Sequence, residues 1–125
     1  MKPPPIFLSH SRMLTFLRGE RGATEVEETL KDGGAYGAAN WSEVAQKIRA
    51  HGRNWDLARS LLLSYGLRVE AVTADDAEWA AGRWTPGEGL SLADRLCMAL
   101  GVRLDVDIWT ADQAWGTGRR IRQLR

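Results

Sequence analysis

The sequence predicts an α/β protein with three layers, in which a central, mostly parallel sheet of four or five strands is flanked by helices. Short apolar or alternating runs recur along the whole chain, at 6–8, 36–39, 67–72, 106–110 and 120–124, as buried or half-buried strands do. Between them lie stretches with apolar residues three and four apart, bounded by capping residues and glycines, as in helices packed on one face. Strands that alternate with helices pair in parallel, and right-handed crossovers then put helices on both faces of the sheet. The 125 residues fall in the range of one domain, which at that size buries roughly two-thirds of its unfolded surface. A single domain over 1–125 is expected.

Ile6, Phe7 and Leu8 follow three prolines and precede Ser9-His10-Ser11, as a short first strand would. Met13, Leu14, Phe16 and Leu17 suit a helix, and Thr24 with Glu27 has capping-box spacing for another that stops near Gly33-Gly34. Asn40 is a plausible N-cap for a helix carrying Trp41, Val44, Ala45 and Ile48, closed by His51-Gly52. Asn54 opens the next helix through Leu57, Leu61, Leu62 and Tyr65, and Gly66 stops it. A helix over 74–83, a loop over 85–89 and an apolar helix over 91–100 ended by Gly101 complete the pattern. The last run, around Ile121, alternates as an edge strand does.

Composition narrows the function classes. Hydrophobic residues make up 44% and charged residues 26%, as in ordinary globular proteins, and no apolar run approaches the roughly 20 residues that span a bilayer. The Lys2-Pro3-Pro4-Pro5 start lacks an apolar leader, so a cytoplasmic location is expected. A net charge of +1 gives no global field toward nucleic acid. Arg119, Arg120, Arg122 and Arg125 form a local basic patch, read first as a solvated edge. The lone Cys97, between Leu96 and Met98, excludes an intramolecular disulfide and reads as a small core residue. Trp41 and Trp109 read as core, whereas Trp55, Trp79, Trp84 and Trp115 suit a dimer or partner surface. Asp75, Asp76 and Glu78 read as a solvated first turn, and Asp105 and Asp107 as solvent-facing acids before a strand.

Three further acids stand out, Glu43 soon after the second expected strand, Asp94 inside an apolar helix and Asp112 just past the fourth strand, and they could converge at one end of the sheet, where parallel sheets place their ligands. Taken singly, Glu43 could merely complement a helix dipole, Asp112 could cap a helix, and Asp94 could pair with Arg95. Gathered together, such carboxylates require a cation, and hard oxygen ligands select magnesium or manganese. Metal-assisted phosphodiester hydrolysis is chemistry open to such a site.

The segments Asn40-Trp41-Ser42-Glu43-Val44, Leu90-Ser91-Leu92-Ala93-Asp94-Arg95 and Thr110-Ala111-Asp112 resemble, in that order, those of PIN-domain proteins of the VapC type. The resemblance implies a PIN-like fold and a magnesium-dependent endoribonuclease toxin with Glu43, Asp94 and Asp112 as catalytic and metal residues. It also implies an RNA substrate, a homodimer, and inhibition by a cognate VapB-like antitoxin. The chain departs from the family at Ser9, which stands where a first aspartate ligand belongs, with His10 and Arg12 close by. The alternative expectation is a binding protein of the same fold that keeps the antitoxin surface without productive cation binding.

Overall fold

The computed structural model describes residues 6–7, 27, 34–110 and 121–123. Its elements are β1 (Ile6–Phe7), β2 (Gly34–Gly37), α1 (Ala38–Ala50), α2 (Trp55–Ser64), β3 (Leu67–Glu70), α3 (Ala74–Arg83), α4 (Leu92–Leu104), β4 (Ile108–Thr110) and β5 (Ile121–Gln123). The strands form one sheet in the order β3-β2-β1-β4-β5, parallel at every pairing. Ile6 of the central strand lies opposite Ala35 on one side and Ile108 on the other. The chain thus winds outward from β1 first through β2 and β3, then through β4 and β5. That reversal makes the carboxyl ends of β1 and β4, next to β2, the switch point at which such sheets open a crevice. No helix among the described residues is long and apolar enough to cross a membrane.

Alternation along β2 divides the core into two layers. Tyr36 points into a cluster with Val44, Ile48, Trp55, Leu62 and Leu67, whereas its neighbour Ala35 packs with Cys97, Met98, Leu100, Val106 and Ile108. On α1 the buried side chains are Asn40, Val44 and Ile48, a stripe of four-residue spacing. Asn54 caps α2 as its sequence suggests, its Oδ1 accepting from the Leu57 N–H at 3.1 Å. Gly66 follows that helix at φ +81°, a conformation that favours glycine.

Several boundaries and assignments differ from expectation. β2 ends at Gly37, and α1 starts at Ala38 rather than after Asn40; extended Gly37 occupies the N-cap position, and no side chain caps it. β3 stops at Glu70 because the four residues of β2 are its pairing partner. Trp55 is buried, edge-on to Trp41 at 5.0 Å between ring centroids, so it is core rather than partner surface. Tyr65 packs against the same cluster, and its hydroxyl donates to Glu27 Oε1 at 3.3 Å. Asp76 is also not solvated. It is 3% exposed, closes a capping box with Thr73, and receives Arg103 Nε at 3.0 Å, tying α3 to α4.

Gly101 does not end α4, which continues to Leu104 and turns at Asp105 in the left-handed region, φ 55°. Its glycine serves close packing instead. A Cβ there would lie 2.5 Å from Ile108 Cδ1 and 2.7 Å from Ile108 Cγ1, so β4 approaches the helix only because position 101 has no side chain. Gly101→Val is therefore expected to cost about 1–3 kcal/mol of stability by overpacking, measured by denaturant unfolding.

Candidate cation site at the carboxyl end of the sheet

Because α1 follows β2 without a loop, its first two turns stand over the carboxyl end of that strand. Asn40 and Glu43, three residues apart, are neighbours on the helix surface. The buried Asn40 Nδ2 donates to Oε1 of the half-buried Glu43 at 3.3 Å. α4 arrives at the same place with its first turn. There the Ser91 hydroxyl accepts from the Asp94 N–H at 3.1 Å, and Asp94 Oδ2 accepts from the Ser91 N–H at 3.0 Å. This reciprocal box fixes the half-buried Asp94 at the positive end of the helix, where a carboxylate is favoured. The alternative pairing of Asp94 with Arg95 is not made, since Arg95 Nη1 turns away to donate to the Ala80 carbonyl at 2.7 Å.

Cys97, one turn after Asp94, stands against Gly37 at the end of β2, within electrostatic range of both acids. Burial pushes its thiol far up, a backbone hydrogen bond with Gly37 works against that, and the charges of Asp94 and Glu43 both add to the rise. One buried sulfur against the last residue of β2 thus feels both carboxylates. The Tyr36 hydroxyl is raised in the same way, first by burial and then by Cys97 and Glu43. It is fully buried and has no hydrogen-bond partner among the described residues, which is costly for a hydroxyl without a water or ligand.

Glu43 and Asp94 are therefore brought to one end of the sheet, whereas Asp112 and Ser9 lie outside the described residues, as do His10, Arg12, Trp115, Arg119 and Arg120. Asp105 is exposed and Asp107 half-buried, both before β4. Among the described residues no three His, Cys, Asp or Glu side chains gather to hold a metal. Glu43 and Asp94 are nevertheless hard oxygen ligands of the kind magnesium takes, which binds through one or two carboxylates and keeps several waters. Sequence reasoning missed Tyr36, Asn40 and Ser91 as parts of this site. The Ser91-x-x-Asp94 spacing was a readable capping-box signal. The Asn40–Glu43 contact was concealed by placing the helix start three residues late.

A second surface lies along α2. Leu57 is 70% exposed, and with Leu61, Ala58, Ile48 and Arg53 it lines an apolar groove of about 620 Å³.

No protein-family model and no curated protein matches the chain. Among solved structures, the fold is similar to a chain described as a toxin–antitoxin complex from Klebsiella pneumoniae. The match has a TM-score of 0.77 and 16% sequence identity, and it covers 95% of this chain and 96% of that one. At this identity the likeness establishes a shared fold.

Proposed function

We propose that the chain is a PIN-like toxin of the VapC type, a magnesium- or manganese-dependent endoribonuclease held in check by a VapB-like antitoxin. The observation that carries this reading is the placement of Glu43 on α1, held by Asn40, and Asp94 on α4, boxed by Ser91, on two helices that pack together with Asn40 and Cys97 against Gly37 at the end of β2. The order of the acidic segments in the sequence and the shared fold with a chain from a toxin–antitoxin complex support it. Glu43 and Asp94 would hold the cation, with Asp112 the third acid by sequence. A bound magnesium supplies polarisation of a phosphoryl oxygen and a more acidic water. The protein's own part is to hold the two carboxylates in position. The capping box does so for Asp94, and the Asn40 amide holds Glu43.

The antitoxin surface we assign is the groove over α2, since Leu57 and Leu61 expose there the apolar area that an amphipathic helix covers. A homodimer, by the same resemblance, belongs to the proposal. Leu57→Asp is expected to weaken antitoxin binding at least tenfold, about 1.4 kcal/mol, in a titration calorimetry experiment, while leaving the unpartnered fold intact.

Ser9 favours a second reading, a binding protein with the same fold and little catalysis. A hydroxyl does not supply the negative charge of the family's first aspartate. The unaltered chain is accordingly expected to cleave RNA slowly in magnesium, and Ser9→Asp to raise the rate at least tenfold, about 1.4 kcal/mol of barrier. Fast cleavage by the unaltered chain, abolished by Asp94→Asn, would remove the second reading. Absence of cleavage by Ser9→Asp would remove the first.

A further inference from the structure

We infer that Asn40 is a positioning residue that orients the Glu43 carboxylate for a divalent cation, an inference that rests on the cation-site reading above. The buried stripe of α1 runs Asn40, Val44, Ile48, and its first member is an amide where packing alone would favour a hydrocarbon. Asparagine near a helix start ordinarily caps it, yet no side chain caps α1, and Asn40 lies inside the first turn. Its Nδ2 instead donates to Glu43 Oε1 at 3.3 Å.

The amide has little freedom to do otherwise. Asn40 is 1% exposed, and a Cβ at Gly37 would stand 3.3 Å from its Oδ1 and 3.6 Å from Cys97 Sγ. The amide and the thiol both stand close against Gly37, so Asn40 lies between the end of β2 and Glu43. Gly37, Asn40 and Glu43 form a short relay from the sheet to the carboxylate. A buried donor fixed on one carboxylate oxygen sets the rotamer of Glu43 and keeps its charge directed at the crevice. Partners of this kind are worth about 10–100-fold in metal affinity.

The test uses the full chain with manganese and magnesium alone. In a titration followed by manganese electron paramagnetic resonance, Asn40→Leu is expected to bind Mn²⁺ at least tenfold more weakly than the unaltered chain, with its thermal midpoint still a cooperative transition. In ¹⁵N-labelled protein the Asn40 side-chain amide signals are expected to shift saturably with Mg²⁺, and to stay unmoved in Glu43→Gln. Loss of Mn²⁺ binding in Glu43→Gln, with binding kept within twofold in Asn40→Leu, would overturn the positioning role alone. Equal binding by Glu43→Gln and the unaltered chain would overturn the cation site, and the positioning role with it. Where Asn40→Leu does not fold, the amide signals of the unaltered chain decide, and their failure to respond to Mg²⁺ overturns the inference.

Discussion

Replacing Asp76 with alanine is expected to lower folding stability by about 1–2 kcal/mol, the scale of losing a charge-assisted hydrogen bond and half of a capping box. Asp76 sits between α3 and α4 at 3% exposure and satisfies two needs at once. Its Oδ2 accepts from the Thr73 N–H at 3.1 Å, and its carboxylate receives Nε and Nη2 of Arg103 at 3.0 and 3.2 Å. Arg103 also donates to the Ala71 carbonyl and is partly exposed, so the variant loses the Arg103 pair and the Asp76 half of the capping box, while Thr73 still accepts from the backbone N–H at position 76. Asp76→Asn keeps the cap and loses the charge, and should cost less; urea unfolding of the two variants separates these contributions. The pH dependence has a definite sign. Burial raises the Asp76 carboxyl, but the Arg103 and Thr73 hydrogen bonds and the Arg103 charge outweigh it, and the net shift is downward. A depressed carboxyl contributes stability fully above its unfolded value and loses it as pH falls through the folded value. The stability difference between the unaltered chain and Asp76→Asn should therefore shrink in acid, below about pH 4.

The second large effect is at Asp94, where capping and cation binding are separable. Asp94→Asn retains an oxygen to accept from the Ser91 N–H but removes the charge, whereas Asp94→Ala removes both. In the Ser9→Asp background both variants are expected to cut RNA at least about a hundredfold more slowly, about 2.7 kcal/mol of barrier. Only Asp94→Ala should lose stability as well, by about 1 kcal/mol. A cleavage rate that followed stability, falling in Asp94→Ala and not in Asp94→Asn, would make Asp94 a helix cap and nothing more.

The fold class was legible because strand and helix periods alternate cleanly, and the helix over 74–83 needed no tertiary knowledge, with Thr73 before it and Asp76 in its first turn. Boundaries failed where a residue type served packing instead of local structure. Gly101 resembles a helix stop but makes room for Ile108, and Asn40 resembles a cap but lies buried in the first turn. Trp55 and Asp76 were misjudged for a related reason. Their burial is supplied by partners distant in sequence, Tyr36 and Leu67 for the tryptophan's cluster and Arg103 for the acid, which no local pattern reveals. Of the site, Glu43 was readable as an acid soon after a strand and Asp94 as an acid inside an apolar helix. The buried Tyr36 hydroxyl was not, because a tyrosine in a strand ordinarily reads as core.

The central claim is that Glu43 and Asp94 together form a site for a hard divalent cation. Counting bound Mn²⁺ by electron paramagnetic resonance in the unaltered chain and in the Glu43→Gln, Asp94→Asn double variant tests it most directly. One Mn²⁺ per chain, displaced by Mg²⁺ and lost in the double variant, is the predicted result. Binding that persists undiminished in the double variant, or no binding by the unaltered chain at millimolar Mn²⁺, would contradict it.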